Sequence, residues 1–80
     1  MPIKFTKHAL QRIKKRNISK DEILDAIKNP DFLTEDLYGN IIAQKIIDKQ
    51  QLLRVFYSSE GEVKIIITAY KTSKTEKYTP

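Results

Sequence analysis

The sequence contains no cysteine and no tryptophan, two glycines, three prolines and a single histidine. Without cysteine there is no disulfide framework, no thiolate nucleophile and no thiolate metal site. Glycine at positions 39 and 61 alone leaves no glycine-rich loop to cradle phosphates. One histidine among scattered carboxylates gives no ligand cluster at a recognisable spacing, so neither a metal nor another cofactor is expected. Nothing marks Ser58 or Ser59 as the nucleophile of a hydrolase triad. No apolar run approaches the roughly 20 residues of a membrane span, and the first residues lack the apolar stretch of a secretory signal. The expectation is a cytoplasmic protein with no membrane partner.

Acid is also missing from one end. Residues 1–20 carry Lys4, Lys7, Arg12, Lys14, Lys15, Arg16 and Lys20 without one carboxylate, a local charge of +7. Residues 21–70 carry five bases and nine acids, and residues 71–80 return to +2 through Lys71, Lys74 and Lys77 against Glu76. Two basic ends bracketing an acidic middle can form one positive surface if the fold brings them together. Such a surface is the footprint of a polyanion partner. The alternative is a solvated helix face and tail with no partner.

What is present fits one domain. Eighty residues at 40% hydrophobic content support a small packed core, and the 31% charged content is too mixed in sign to indicate disorder. Residues 3–30 read as a helical hairpin, 31–70 as an antiparallel sheet and 71–80 as a basic polar tail. The first helix spans 6–16. Thr6 is its N-cap, Phe5 and Leu10 stand at the positions of a hydrophobic staple, and Ala9, Leu10 and Ile13 form its apolar face. Asn17 suits a left-handed ending, with Ile18 folding back on Ile13. Ser19-Lys20-Asp21-Glu22 matches a capping box, so a second helix starts there, facing the core with Ile23, Ala26 and Ile27. It stops at Asn29-Pro30.

The remainder reads as strands joined by tight turns at Gly39-Asn40, Asp48–Gln50 and Ser59–Gly61. Residues 31–38 leave room for a short edge strand, and the tail for a helical turn from Ser73. Alternation over 51–58 sets Leu53, Val55 and Tyr57 against Leu52, Arg54 and Phe56. Over 62–70 it sets Val63, Ile65, Ile67 and Ala69 against Lys64, Ile66, Thr68 and Tyr70. The expected fold class is α+β: two N-terminal helices packed on a three- or four-stranded antiparallel sheet.

On the first helix, Arg12 lies about 40° from His8, Lys15 about 20° to its other side and Arg16 about 80° away, so all four share one stripe. A neutral imidazole can act as a general base, and paired guanidinium groups clamp phosphate bidentately. Together with a tyrosine or threonine hydroxyl, these groups suffice for metal-free RNA cleavage by attack of the 2′-OH. The candidate catalytic residues are His8, Arg12, Arg16 and Tyr70. Candidate phosphate or RNA contacts are Arg54, Thr68, Lys71, Lys74 and Lys15. The competing reading makes His8 a surface or capping residue and ties Arg12 and Arg16 to Asp25 or Asp31.

The run Phe5-Thr6-Lys7-His8-Ala9-Leu10-Gln11-Arg12-Ile13-Lys14-Lys15-Arg16-Asn17-Ile18-Ser19 resembles the opening of the domain of unknown function 4258 family. That opening has a His-Ala pair, an Arg three residues after the Ala, another Arg four later, then a small residue, Ile and Ser. Asn17 stands where glycine is more usual, and both tolerate the left-handed cap. The segment from Ala26 to Asn29-Pro30 and the run Ile65-Ile66-Ile67-Thr68-Ala69-Tyr70 resemble the family's second-helix ending and closing strand. The family is similar in layout to the BrnT and RelE-like toxins of toxin–antitoxin pairs, small basic α+β ribonucleases held inactive by a cognate antitoxin. The resemblance therefore implies a toxin-like ribonuclease or RNA-binding protein with His8 and Arg12 in its site. It also implies RNA, free or ribosome-bound, as partner and an acidic antitoxin, and leaves monomer or dimer open. Activity by this route rests on likeness of layout. Two rivals are a non-catalytic nucleic-acid binder and a protein-interaction domain. The acidic second helix, with Asp21, Glu22 and Asp25, would be a poor recognition helix for a phosphate-lined groove.

Overall fold

A computed structural model of the chain describes residues 2–79. Strand β1 (Ile3–Phe5) leads into helices α1 (Lys7–Lys15) and α2 (Lys20–Lys28). Strands β2 (Phe32–Glu35), β3 (Ile41–Asp48), β4 (Gln51–Glu60) and β5 (Val63–Thr72) follow, and helix α3 (Thr75–Tyr78) ends the chain. The sheet has five strands in the order β1-β5-β4-β3-β2. No helix among the described residues is long and apolar enough to cross a membrane.

Local chemistry sets both helix hairpin ends as the sequence indicates. The Thr6 hydroxyl accepts from the Ala9 amide at 3.0 Å. At the other end of α1, Asn17 has φ 55°, Ile18 N donates to Ile13 O at 2.8 Å and Asn17 N to Lys14 O at 3.3 Å, the paired bonds of a Schellman ending. The capping box of α2 is complete in both directions, Glu22 N to Ser19 Oγ and Ser19 N to Glu22 Oε1, each at 3.1 Å. The β2–β3 turn is closed by Asp36, whose carboxylate accepts from Tyr38 N, Asn40 N and Asn40 Nδ2, while Gly39 takes φ 83°.

Three expectations need correction. The sheet is five-stranded and mixed, because Ile3–Phe5 pairs in parallel with Lys64–Ile66 of β5. Three residues carry too short an alternation to announce a strand, and their partners lie about sixty positions away. Second, the alternation of β5 breaks. Phe56 pairs with Thr68 but Tyr57 pairs with Ile66, so Ile67 is a bulge residue. Ile66 and Ala69, expected on opposite faces, are both wholly buried in the same core. Third, Leu10 is 40% exposed and lies outside that core.

The core joins Ala9, Ile13, Ile18, Ile23, Ala26 and Ile27 of the helical hairpin to Ala43, Leu53, Val55, Tyr57, Ile66 and Ala69 of the sheet. Helices α1 and α2 therefore cover one face. The short α3 folds over the other, where the Tyr78 carbonyl accepts from Gln44. The sheet is thus closed on both sides by unlike covers, and the polar residues lie under the smaller one.

Candidate nucleic-acid interface

The strand parity that sends Leu53, Val55 and Tyr57 to the helices sends Arg54 and Phe56 to the α3 side. Cross-strand register then places Gln44 and Tyr70 on either side of Arg54. Arg54 is 8% exposed and Gln44 2%. Arg54 Nε donates to Gln44 Oε1 at 2.9 Å, and its Nη1 donates to the Tyr70 hydroxyl. Gln44 Nε2 passes the chain on to the Tyr78 carbonyl at 3.1 Å. The Tyr78 ring lies over the guanidinium with its centroid 3.8 Å from Cζ, and the rings of Phe56 and Tyr70 stand 5.3 and 5.6 Å away. Phe56 and Tyr70 are stacked, centroids 5.9 Å apart.

Every one of these partners is neutral. A guanidinium withdrawn from water is costly unless a counter-charge or a full set of acceptors meets it. Here two acceptors and three aromatic faces meet it, and no carboxylate bonds to it among the described residues. Among the described residues no acceptor meets its Nη2, and that atom is not a buried orphan. A permanently charged donor held this way is suited to a charge-assisted hydrogen bond to an external anion, such as a phosphate oxygen.

The two phenols beside Arg54 are pushed apart. Burial raises Tyr70 above the ordinary tyrosine value, although its bond from Arg54 pulls the other way. Tyr78 is lowered, first by the neighbouring Tyr70 side chain and then by the charges of Lys77 and Arg54. One phenol is thereby kept as a donor and its neighbour made the better proton acceptor. Lys77 Nζ lies 5.4 Å from the Tyr78 ring centroid, and Ser73, Lys74, Thr75, Glu76 and Lys77 line an open depression of about 390 Å³ whose lining includes neither phenol.

The residues expected to form one site divide into three groups. Arg54, Thr68 and Tyr70 share the α3 face, and Lys74 is the residue that precedes α3. His8, Arg12 and Lys15 are exposed on α1, across the sheet from Arg54, and no hydrogen bond or ion pair engages their side chains among the described residues. Arg16 and Lys71 are engaged in holding the fold. Arg16 Nη1 donates to the Ala69 carbonyl at 2.9 Å and, at 3.4 Å, to Thr68 Oγ1, strapping the end of α1 to β5. Lys71 turns to the helix side and pairs with Glu22 at 3.0 Å. Asp25 and Asp31, offered as partners for the arginines, instead accept from Asn29 and from the Ile46 amide.

Gln44, Tyr78 and Lys77 were not anticipated. Gln44 had a signal: it is a lone uncharged polar residue inside the run Ile41-Ile42-Ala43-Gln44-Lys45-Ile46-Ile47. Tyr78 and Lys77 lie in a tail without periodicity, and only its fold-back over Arg54 gives them a place. Among the described residues no three His, Cys, Asp or Glu side chains gather as metal ligands. No curated protein and no solved structure matches this chain. The family of the domain of unknown function DUF4258 matches residues 5–71, and the chain belongs to that family.

Proposed function

We propose that the chain is a toxin-like ribonuclease whose RNA-contacting surface is the Arg54 face of the sheet. One observation carries the reading: a buried guanidinium with neutral partners, an Nη2 that no acceptor meets among the described residues, and two phenols of opposite tendency beside it. Two N-terminal helices on one face of a sheet and a basic chain support the reading, and a cognate acidic antitoxin would have a cationic rim, Lys74 and Lys77, to cover.

The chemistry follows from the groups. Tyr78, the better acceptor, takes the proton of a ribose 2′-OH. The 2′ oxygen attacks the adjacent phosphorus, and Arg54 Nη2 bears the charge that develops on the phosphorane. The bond to the 5′ oxygen breaks, and an ammonium of the rim, Lys74 or Lys77, supplies its proton. The products are a 2′,3′-cyclic phosphate and a 5′-hydroxyl end. His8 and Arg12 take no part in these steps.

The test is cleavage of free and ribosome-bound RNA by wild type and Tyr78→Phe. Loss of a positioned base is expected to slow cleavage by about 100- to 10,000-fold while RNA binding persists. An unchanged rate in the variant removes Tyr78 from the mechanism. A wild type that neither cuts RNA nor slows growth ends the enzyme reading. The second reading, non-catalytic RNA binding, is favoured by the same aromatic stack over Arg54, since unpaired bases stack on such faces. Salt-dependent binding without cleavage would select it.

A further inference from the structure

The α1 stripe is left without a role in the chemistry above, yet it is the most concentrated charge in the molecule. Lys7, Arg12, Lys14 and Lys15 are exposed on a helix of nine residues that contains no acid. Ala9 and Ile13 fix its rotation, so the cationic side chains face outward. The last turn, holding Arg12 and Lys15, lies beside β5 at a particular place. Strand β1 covers β5 only at Lys64–Ile66, and the stretch from Thr68 onward has no strand on that side. Arg16 reaches into this uncovered stretch, to the Ala69 carbonyl and the Thr68 hydroxyl. Thr68 pairs with Phe56, and Tyr70 with Arg54, on the α3 face. Arg16 and Thr68 therefore join the two sides of the sheet around one edge.

We infer that a single RNA strand runs from the C-terminal half of α1, over the open edge of β5, to Arg54. This rests on the proposed function, and it adds the path by which a substrate longer than the cleaved step is held. Arg12 and Lys15 neutralise flanking phosphates, Arg16 marks the turn of the edge, and Phe56 and Tyr70 offer their faces to unstacked bases beyond it. The contacts on α1 are to the backbone, so they act on any sequence.

The experiment measures binding of a dinucleotide and of a longer single-stranded RNA against salt concentration. It uses wild type, the pair Arg12→Gln with Lys15→Gln, and a control pair Lys20→Gln with Lys28→Gln that removes equal charge from exposed sites on α2. Thermal unfolding confirms that each variant is folded. The α1 pair is expected to weaken binding of the longer RNA more than that of the dinucleotide. It should also lower the salt slope by about 1.4, at about 0.7 per phosphate contact on a single strand. An equal loss in the control pair overturns the path and leaves only net charge. A loss of the same size on both RNA lengths, or an unchanged slope, overturns it too. These outcomes presuppose wild-type binding. Failure of wild type to bind any RNA instead overturns the proposed function.

Discussion

The face of the sheet turned to α1 and α2 is closed almost wholly by apolar side chains, whereas the face turned to α3 sets hydrogen bonds and aromatic rings beside Ile42 and Leu52. On the first, Ala9, Ile23, Ala26, Ala43, Val55, Ile66 and Ala69 are fully buried without a polar atom in their side chains. On the second, Gln44 and Arg54 are buried almost as deeply; Arg54 donates to Gln44 and to Tyr70, and Gln44 donates to the Tyr78 carbonyl. Both covers exclude water, but only the first gains by doing so without cost. Burying a charge with neutral partners sacrifices stability, and the four-residue α3 that covers it has no side-chain cap to fix its start. The helix side therefore carries most of the apolar core, and the charge buried on the α3 side is accounted for by the proposed function rather than by stability.

The largest blow to stability should therefore come from the helix side. Ile23 is wholly buried between α2 and the sheet. Ile23→Ala is expected to cost about 2–5 kcal/mol, against a total of roughly 5–10 kcal/mol for a domain of this size. Urea denaturation reads it directly, and a loss no larger than that of a surface change would refute the division. The opposite sign is expected across the sheet. Gln44→Leu combined with Arg54→Met removes the buried charge and its main acceptor together. Stability should hold or rise, by up to about 4 kcal/mol, while RNA binding disappears. A double variant as destabilised as Ile23→Ala would show that the Arg54 network is a structural element after all.

The two sides also differ in how plainly they are written in the sequence. The helix side obeys local rules. Thr6, Ser19-Glu22 and Asn17 terminate helices through bonds made within a few residues, and Ile23, Ala26 and Ile27 keep helical spacing, so each could be read directly. Leu10 was misread because apolar spacing alone cannot say where the sheet stops covering the helix. The α3 side depends on partners far apart in the chain. Strand β1 is too short to be announced, and its parallel mate is set by global closure. The bulge at Ile67 shifts the parity of β5 in mid-strand, which no alternating pattern of Ile65, Ile66 and Ile67 can reveal. Arg54, Thr68 and Tyr70 were legible as polar residues on strands. Their union with Gln44 and Tyr78 required cross-strand register and the fold-back of the tail. The exposed stripe of His8, Arg12 and Lys15 was legible as a charge pattern, but helical spacing could not show that the sheet separates it from Arg54.

A smaller effect sharpens the account of the helix side. Ser19→Ala removes the α2 cap and should cost about 1 kcal/mol near neutral pH. Glu22, the other half of that box, is held below the ordinary glutamate value of 4.5, first by the Ser19 amide and then by Lys71. A carboxylate with a depressed folded-state value stabilises the fold above its unfolded value and loses that contribution as pH falls through the folded one. The stability gap between wild type and Glu22→Gln should therefore shrink as the solution is acidified below about pH 4.5. A gap that persists undiminished in acid would mean that the carboxylate charge is not what the α2 N-terminus and Lys71 bind.

The smallest effect on folding belongs to the residue on which the proposed chemistry depends most. Tyr78 lies at the end of a short helix, and Phe in its place keeps the ring over Arg54 while removing only the hydroxyl, so the unfolding midpoint should hardly move. The rate should respond differently. Because Tyr70, Lys77 and Arg54 favour the phenolate of Tyr78, wild-type cleavage should rise with pH and level off below the ordinary tyrosine value of 10. Tyr78→Phe should lose that rise along with most of the rate. A variant that keeps the rise would assign the titration to another group, and Tyr70, held above the ordinary value by burial, would then predict a rise displaced to higher pH. The position of that limb, measured in a protein whose stability is unchanged, separates the phenol that accepts the proton from the phenol beside it.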